Sequence, residues 1–130
     1  MAAMDDVTGG LIISHKSSVN VLSNDVLNCD GLLLATTENI GYMAGLTKDL
    51  FDRCYNDWLG TTDGLSTAVY IRAGLDGTAT SKALSQIAGG LSWRLIRPPL
   101  ILKGNYIPQF EEEVAEFAGA FAAGLESGLF

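Results

Sequence analysis

Two stretches of this 130-residue chain carry polar groups at spacings suited to ligand binding. The first is Thr36-Thr37-Glu38-Asn39-Ile40-Gly41-Tyr42, and the second is Ala73-Gly74-Leu75-Asp76-Gly77-Thr78. Each follows a strand-like run, Leu32 to Thr36 and Thr67 to Ile71. Loops at the carboxyl ends of strands are where open α/β sheets hold ligands. Glu38-Asn39 taken alone reads as a solvated loop. Asp76 reads as the N-cap of a following helix. Tyr42 either stacks on a ring or packs over the sheet end.

Other chemistries find little support. His15 is the single histidine, which excludes multi-histidine metal sites. It lies in a strand-like run and would meet Cys29 only by accident of folding, so a Cys-His nucleophile is not expected. Cys54 falls on an apolar helix face and reads as core. Trp58 and Trp93 read as packing residues. Glu111 to Glu113 suit the start of a helix rather than a metal. Lys48 and Asp52 form an i,i+4 surface pair.

The elements that must position the two loops follow from pattern. Leu32 to Thr36 is apolar without alternation, as in a strand buried on both faces. Leu46, Leu50, Phe51, Cys54 and Trp58 have the spacing of one helix face. Leu11 to Lys16 reads as an earlier strand, β-branched at Ile12 and Ile13. Asn24 to Leu27 reads as one helical turn. A helix is expected from Asp76 or Thr78, with Ala83, Leu84, Ile87, Ala88 and Leu91 inward. Pro98-Pro99 confines the Trp93 to Leu102 strand to an edge or to residues after the prolines. Pro108 suits the first turn of a last helix, whose inward stripe is Phe110, Val114, Phe117, Phe121 and Leu125. Alternating strands and helices predict a three-layer α/β domain with a mostly parallel sheet, one domain over residues 1–130.

Composition sets outer bounds. Hydrophobic residues make up 48% and charged residues 18%, ordinary for a buried-sheet protein. Net charge is −7, which argues against nucleic acid or an anionic membrane as partner. An anionic small ligand remains possible, because helix N-termini and loop amides hold phosphates. No apolar run is long enough to span a bilayer, and the start lacks a signal-peptide pattern. Two cysteines in such a chain suggest free thiols and a cytoplasmic location.

The run Asp30-Gly-Leu-Leu-Leu-Ala-Thr-Thr-Glu-Asn-Ile-Gly-Tyr-Met-Ala-Gly-Leu-Thr-Lys-Asp-Leu-Phe-Asp-Arg53 resembles the flavodoxin-like NAD(P)H-dependent FMN reductases. In that family a strand ends in Thr-Pro-Glu-Asn-Phe-Gly-Tyr or similar. Arg72 to Thr78 and the tail Ala122 to Phe130 are similar too, so the likeness runs roughly from Leu11 to the end. The resemblance implies a flavodoxin-like fold with FMN as cofactor and NAD(P)H as electron donor. Hydride would pass to the flavin and on to a quinone or similar acceptor. Thr36, Thr37, Glu38, Asn39, Ile40, Gly41 and Tyr42 would line the flavin ring, with the amides of Glu38, Asn39 and Gly41 near its polar edge. Ala73, Gly74 and Gly77 would form the opposing wall. The residue types agree: glycine lets backbone approach a flat ring, and loop amides with Asn39 offer placed donors and acceptors. The flavin carries the hydride chemistry, so no catalytic side chain is demanded.

Two departures from the family pattern shape the expectations. Thr37 stands where the family has proline, which predicts a looser loop. The family also opens with a strand and a hydroxyl-rich phosphate loop, and too few residues precede Leu11 for that first βα unit. Thr8-Gly9-Gly10 reads as a turn. The intact strand order is 2-1-3-4-5, so a central strand would be missing. The Leu11 strand would then pair with Leu32 to Thr36 or leave an open edge, which invites homo-oligomers. Losing about three phosphate bonds predicts a loss of roughly 4–6 kcal/mol and a micromolar or weaker FMN site. The rival function is a non-catalytic association module. A phosphoacceptor receiver domain is set aside, because Thr36 stands where it needs an aspartate.

Overall fold

The structure, a computed structural model, describes residues 10–130. Residues 1–9, with Thr8-Gly9 of the expected turn, lie outside the described residues. From Leu11 to Ser17 the chain forms no strand, which corrects the strand expected there. Ile12 is 99% exposed, so its β-branched side chain has no pleated neighbour to pack on. The segment leads into a 3₁₀ turn, Ser18–Asn20, that is tied to a later helix: Arg53 donates to the carbonyls of Val21 (3.0 Å) and Ser18 (2.8 Å). The short helix α1, Ser23–Leu27, follows. Asp25 accepts the Leu22 N–H at 2.8 Å and pairs with Lys16 at 2.9 Å. Those two contacts, the backbone N–H first, hold its carboxyl below the usual 3.8.

The sheet has β1 (Gly31–Asn39) and β3 (Ser66–Ala73) at its centre, parallel and paired from Gly31↔Ser66 to Thr37↔Arg72. On the far side of β3 the Pro98-Pro99 interruption splits one edge strand into β4, Arg94–Leu95, and β5, Leu100–Lys103, both parallel to β3. The short β2, Tyr42–Met43, lies antiparallel on the other side of β1. The strand order is therefore β2-β1-β3-β4/β5.

Helices cover both faces. Helix α2, Gly45–Trp58, and helix α3, Thr78–Gly90, pack on the face presented by Leu34, Val69 and Ile71. Phe51, Trp58 and Trp93 form an aromatic cluster there, with ring centroids 5.5–6.1 Å apart. Each indole N–H in this cluster has an acceptor: Trp58 donates to the Ser23 carbonyl (3.1 Å) and Trp93 to Thr62 Oγ1 (2.7 Å). Both tryptophans and the buried Cys54 are thus packing residues. Leu46 is 58% exposed and not part of the buried face; Thr47 is buried in its place. Side chains alternate along β3, so Ala68 and Arg72 face the other way. Helix α4, Gln109–Glu126, covers that second face, with Phe110, Ala118, Phe121 and Ala122 buried. Val114, Phe117 and Leu125 are half-buried. The result is a three-layer α/β/α arrangement whose parallel strands all end at one edge.

Candidate ligand site at the carboxyl edge of the sheet

The expected Thr36 to Tyr42 loop is mostly strand. β1 continues to Asn39, turns through Ile40-Gly41 and returns as β2, with Asn39↔Tyr42 and Glu38↔Met43 paired. Ile40 has φ 51° and Gly41 φ 75°, the two positive values of a type I′ hairpin turn. Glycine is at home there, but a β-branched residue is not. Thr37 does not loosen the segment. Its carbonyl accepts the Ala44 N–H at 3.0 Å and its hydroxyl donates to Asn39 Oδ1 at 2.8 Å. Below it, the buried hydroxyls of Thr36 and Thr47 bond at 2.7 Å and fix β1 to the first turn of α2.

The second loop begins at Gly74, after β3. Asp76 Oδ1 accepts the Thr78 N–H at 3.0 Å, so the expected cap is present, although Gly77 takes the N-cap position itself. Gly77 has φ 68°, and a Cβ there would stand 2.8 Å from Ile101 Cγ2 and 3.1 Å from Ala73 Cβ. Both its backbone and its neighbours require glycine. Ala73 and Gly77 are buried and back the loop, whereas Gly74, Leu75 and Asp76 are exposed. Arg72 anchors the exit of β3: its Nη1 donates to the carbonyls of Ala73 (3.0 Å) and Leu102 (3.1 Å), and its guanidinium lies 4.8 Å over the Phe110 ring.

One bond joins the two loops. Glu38 Oε1 accepts the Leu75 N–H at 3.2 Å. The hairpin and the second loop therefore sit side by side at the carboxyl edge, as the parallel pairing of β1 and β3 requires. The N-termini of α2 and α3 start at the same edge, with no acidic residue in either first turn. The positive dipole ends of both helices point to this edge, and at α3 the Asp76 carboxylate already takes the Thr78 N–H.

Open space lies over Gly41 and Gly74, where a Cβ would meet nothing within 4 Å. Ile40, Tyr42 and Leu75, on the same two loops, are exposed apolar residues. Neither loop contains Lys or Arg, so the described residues there offer no basic phosphate cradle. A separate open depression of about 560 Å³ lies between β4–β5 and α4, lined by Arg97, Leu100, Glu113, Glu116, Phe117 and Ala120, away from these loops.

Sequence reasoning found the two loops and their strands. It missed the hairpin, the Thr36–Thr47 pair and the Arg72–Phe110 stack. Thr47 gave one signal, a hydroxyl residue three positions before Leu50 on an apolar helix face.

No protein-family model matches the chain, and no curated protein does. Solved structures do. The fold is similar to a flavodoxin, WrbA-like protein from Agrobacterium tumefaciens, with TM-score 0.69 and 11% identity over 80% of this chain and 71% of that one. It is also similar to an oxidoreductase from Corynebacterium diphtheriae, with TM-score 0.61 and 21% identity over 88% of this chain. The chain spans 65% of the length of that second structure. The fold is flavodoxin-like.

Proposed function

We propose that this flavodoxin-like domain binds a flavin ring across its carboxyl edge. It would serve an FMN-dependent NAD(P)H oxidoreductase reaction, with a quinone or similar acceptor. The observation that carries the reading is the Glu38–Leu75 bond, which joins the hairpin to the second loop at the carboxyl edge, where Gly41 and Gly74 each have open space beside their backbone. Backbone amides of the Ile40-Gly41 turn and of Gly74 would hold the polar rim of the ring. Ile40 and Tyr42 would cover its apolar part. The flavin, when bound, supplies the hydride chemistry, and the protein orients it and sets its electrostatics. The half-buried Cys29 and buried Cys54 are free thiols, in keeping with the cytoplasmic location included in this proposal. Among the described residues no helix is long and apolar enough to cross a membrane.

Titration of riboflavin and FMN by fluorescence quenching tests the reading. With no basic side chain in either loop, both are expected to bind at micromolar level, about −8 kcal/mol, and within about tenfold of each other. No quenching by either ligand would overturn it. The rival reading, an association module without flavin, draws on the open edge of β1 and predicts a colourless protein with no NAD(P)H oxidation.

A further inference from the structure

We propose that Tyr106, on a third loop of the carboxyl edge, is a binding residue for a flat, uncharged ring bearing carbonyl oxygens, the acceptor of the reaction proposed above. The inference rests on that reading for the ligand's role, and on separate residues for its place. β5 runs parallel to β3, so the loop after it, Gly104 to Pro108, leaves the sheet at the same edge as the other two. The Gly104 N–H donates to the Ala73 carbonyl at 2.9 Å, next to Gly74. Arg72 joins the same two strand ends by donating to the carbonyls of Ala73 and Leu102. The second and third loops are therefore neighbours at their roots. Gly104 has φ 80°, and a Cβ there would meet nothing within 4 Å.

Tyr106 is 59% exposed, yet its ring is held at two points. Its hydroxyl donates to Glu111 Oε2 at 2.7 Å, and its ring meets Phe110 nearly edge-on, with centroids 6.2 Å apart. Phe110 is itself buried and lies under the Arg72 guanidinium. A single exposed apolar residue is ordinary. An exposed aromatic ring fixed by a hydrogen bond and a ring contact has already lost its rotamer freedom, so a ligand that stacks on it does not bear that cost.

The residue types select the ligand. Gly104-Asn105-Tyr106-Ile107-Pro108 has no charged side chain. Glu111 is the acidic group at Tyr106, and a phosphate-bearing nucleotide would be repelled by it. Lys103 pairs with Ala73 and shares its face of β5 with Ile101, opposite the face of Leu102 and Arg72, so it does not offset Glu111 at Tyr106. The Tyr106 hydroxyl is engaged by Glu111, which leaves the ring rather than the donor for a ligand. Ile107 adds exposed apolar surface, and the exposed Asn105 brings an amide that can donate to a carbonyl oxygen. An aromatic ring, an aliphatic neighbour and a neutral donor suit a planar quinone-class ring.

Separate titrations of isotope-labelled protein with duroquinone and with riboflavin, followed by backbone amide shifts, test it. Duroquinone is uncharged, and its fully substituted ring resists addition by the free thiols. It is expected to give saturable shifts at Gly104, Tyr106 and Ile107. Tyr106→Ala is expected to weaken its binding about fivefold or more, the size of one aromatic contact. Tyr106→Phe keeps the ring against Phe110 and is expected to stay within about twofold of wild type. If the alanine variant fails to fold, Tyr106→Leu, which keeps bulk without a flat face, decides. No saturable shift, shifts confined to the hairpin and the second loop, or an alanine or leucine variant that binds like wild type each overturns the proposal. A third loop that responds to duroquinone in a chain that ignores riboflavin supports the ring site and overturns the flavin reading, so the two fail separately.

Discussion

Ile40 combines two unfavourable features, a left-handed backbone at φ 51° and a side chain 105% exposed. The backbone strain costs roughly 1–2 kcal/mol. Asparagine suits this turn position, so Ile40→Asn is expected to stabilise the fold by about 1 kcal/mol in urea unfolding. Strain of this kind gathers at ligand sites. Under the flavin reading the same variant binds riboflavin several-fold more weakly while being more stable; unchanged binding would remove Ile40 from the site. Gly77→Ala should go the other way. Its positive φ and the Ile101 contact predict a loss of at least about 1–2 kcal/mol in the same assay. Asp25 gives a pH-dependent effect. Its folded carboxyl titrates below the usual 3.8, held first by the Leu22 N–H and then by Lys16. Its contribution is therefore full above that value and lost as pH falls through the lower, folded one. The exchange protection of the Leu22 amide is expected to fall as pH drops below about 4, and to fall less in Asp25→Asn.

At the scale of elements, helices were the most legible in the sequence. The 3.6-residue spacing of Leu46, Leu50, Phe51, Cys54 and Trp58 marked α2, and all but Leu46 are buried. The stripe of α4 was read correctly in position but unevenly in depth: Phe110 and Phe121 are buried, and Phe117 lines the open depression beside Arg97. Phe121→Ala is expected to cost about 3–5 kcal/mol and Phe117→Ala clearly less, both by urea unfolding. Equal losses would mean that α4 docks more deeply than these burials indicate. The hairpin was illegible because Ile40-Gly41 is not the Asn-Gly or Asp-Gly pair that announces a type I′ turn. Leu11 to Lys16 misled for the opposite reason. Its β-branched residues match a strand locally, but a strand also needs a neighbour, which no local pattern reports.

The whole molecule was legible where the chain order dictates it. Parallel neighbours β1 and β3 must end at one edge, and that alone brings Glu38 to Leu75. The Pro98-Pro99 interruption correctly marked the edge strand on the far side of β3. Which backbone groups of the loops would meet a ligand was not legible, because that depends on the Ile40 and Gly77 conformations and on the packing of Ile101 beneath Gly77. The edge carrying Gly41 and Gly74 is the proposed ligand site. Backbone amide shifts recorded while riboflavin is titrated into isotope-labelled protein test it most directly. Saturable shifts are expected at Gly41, Gly74 and Leu75, with little change at Glu113, Glu116 and Phe117 in the separate depression. Shifts confined to Glu113, Glu116 and Phe117, with Gly41, Gly74 and Leu75 unmoved, would contradict it.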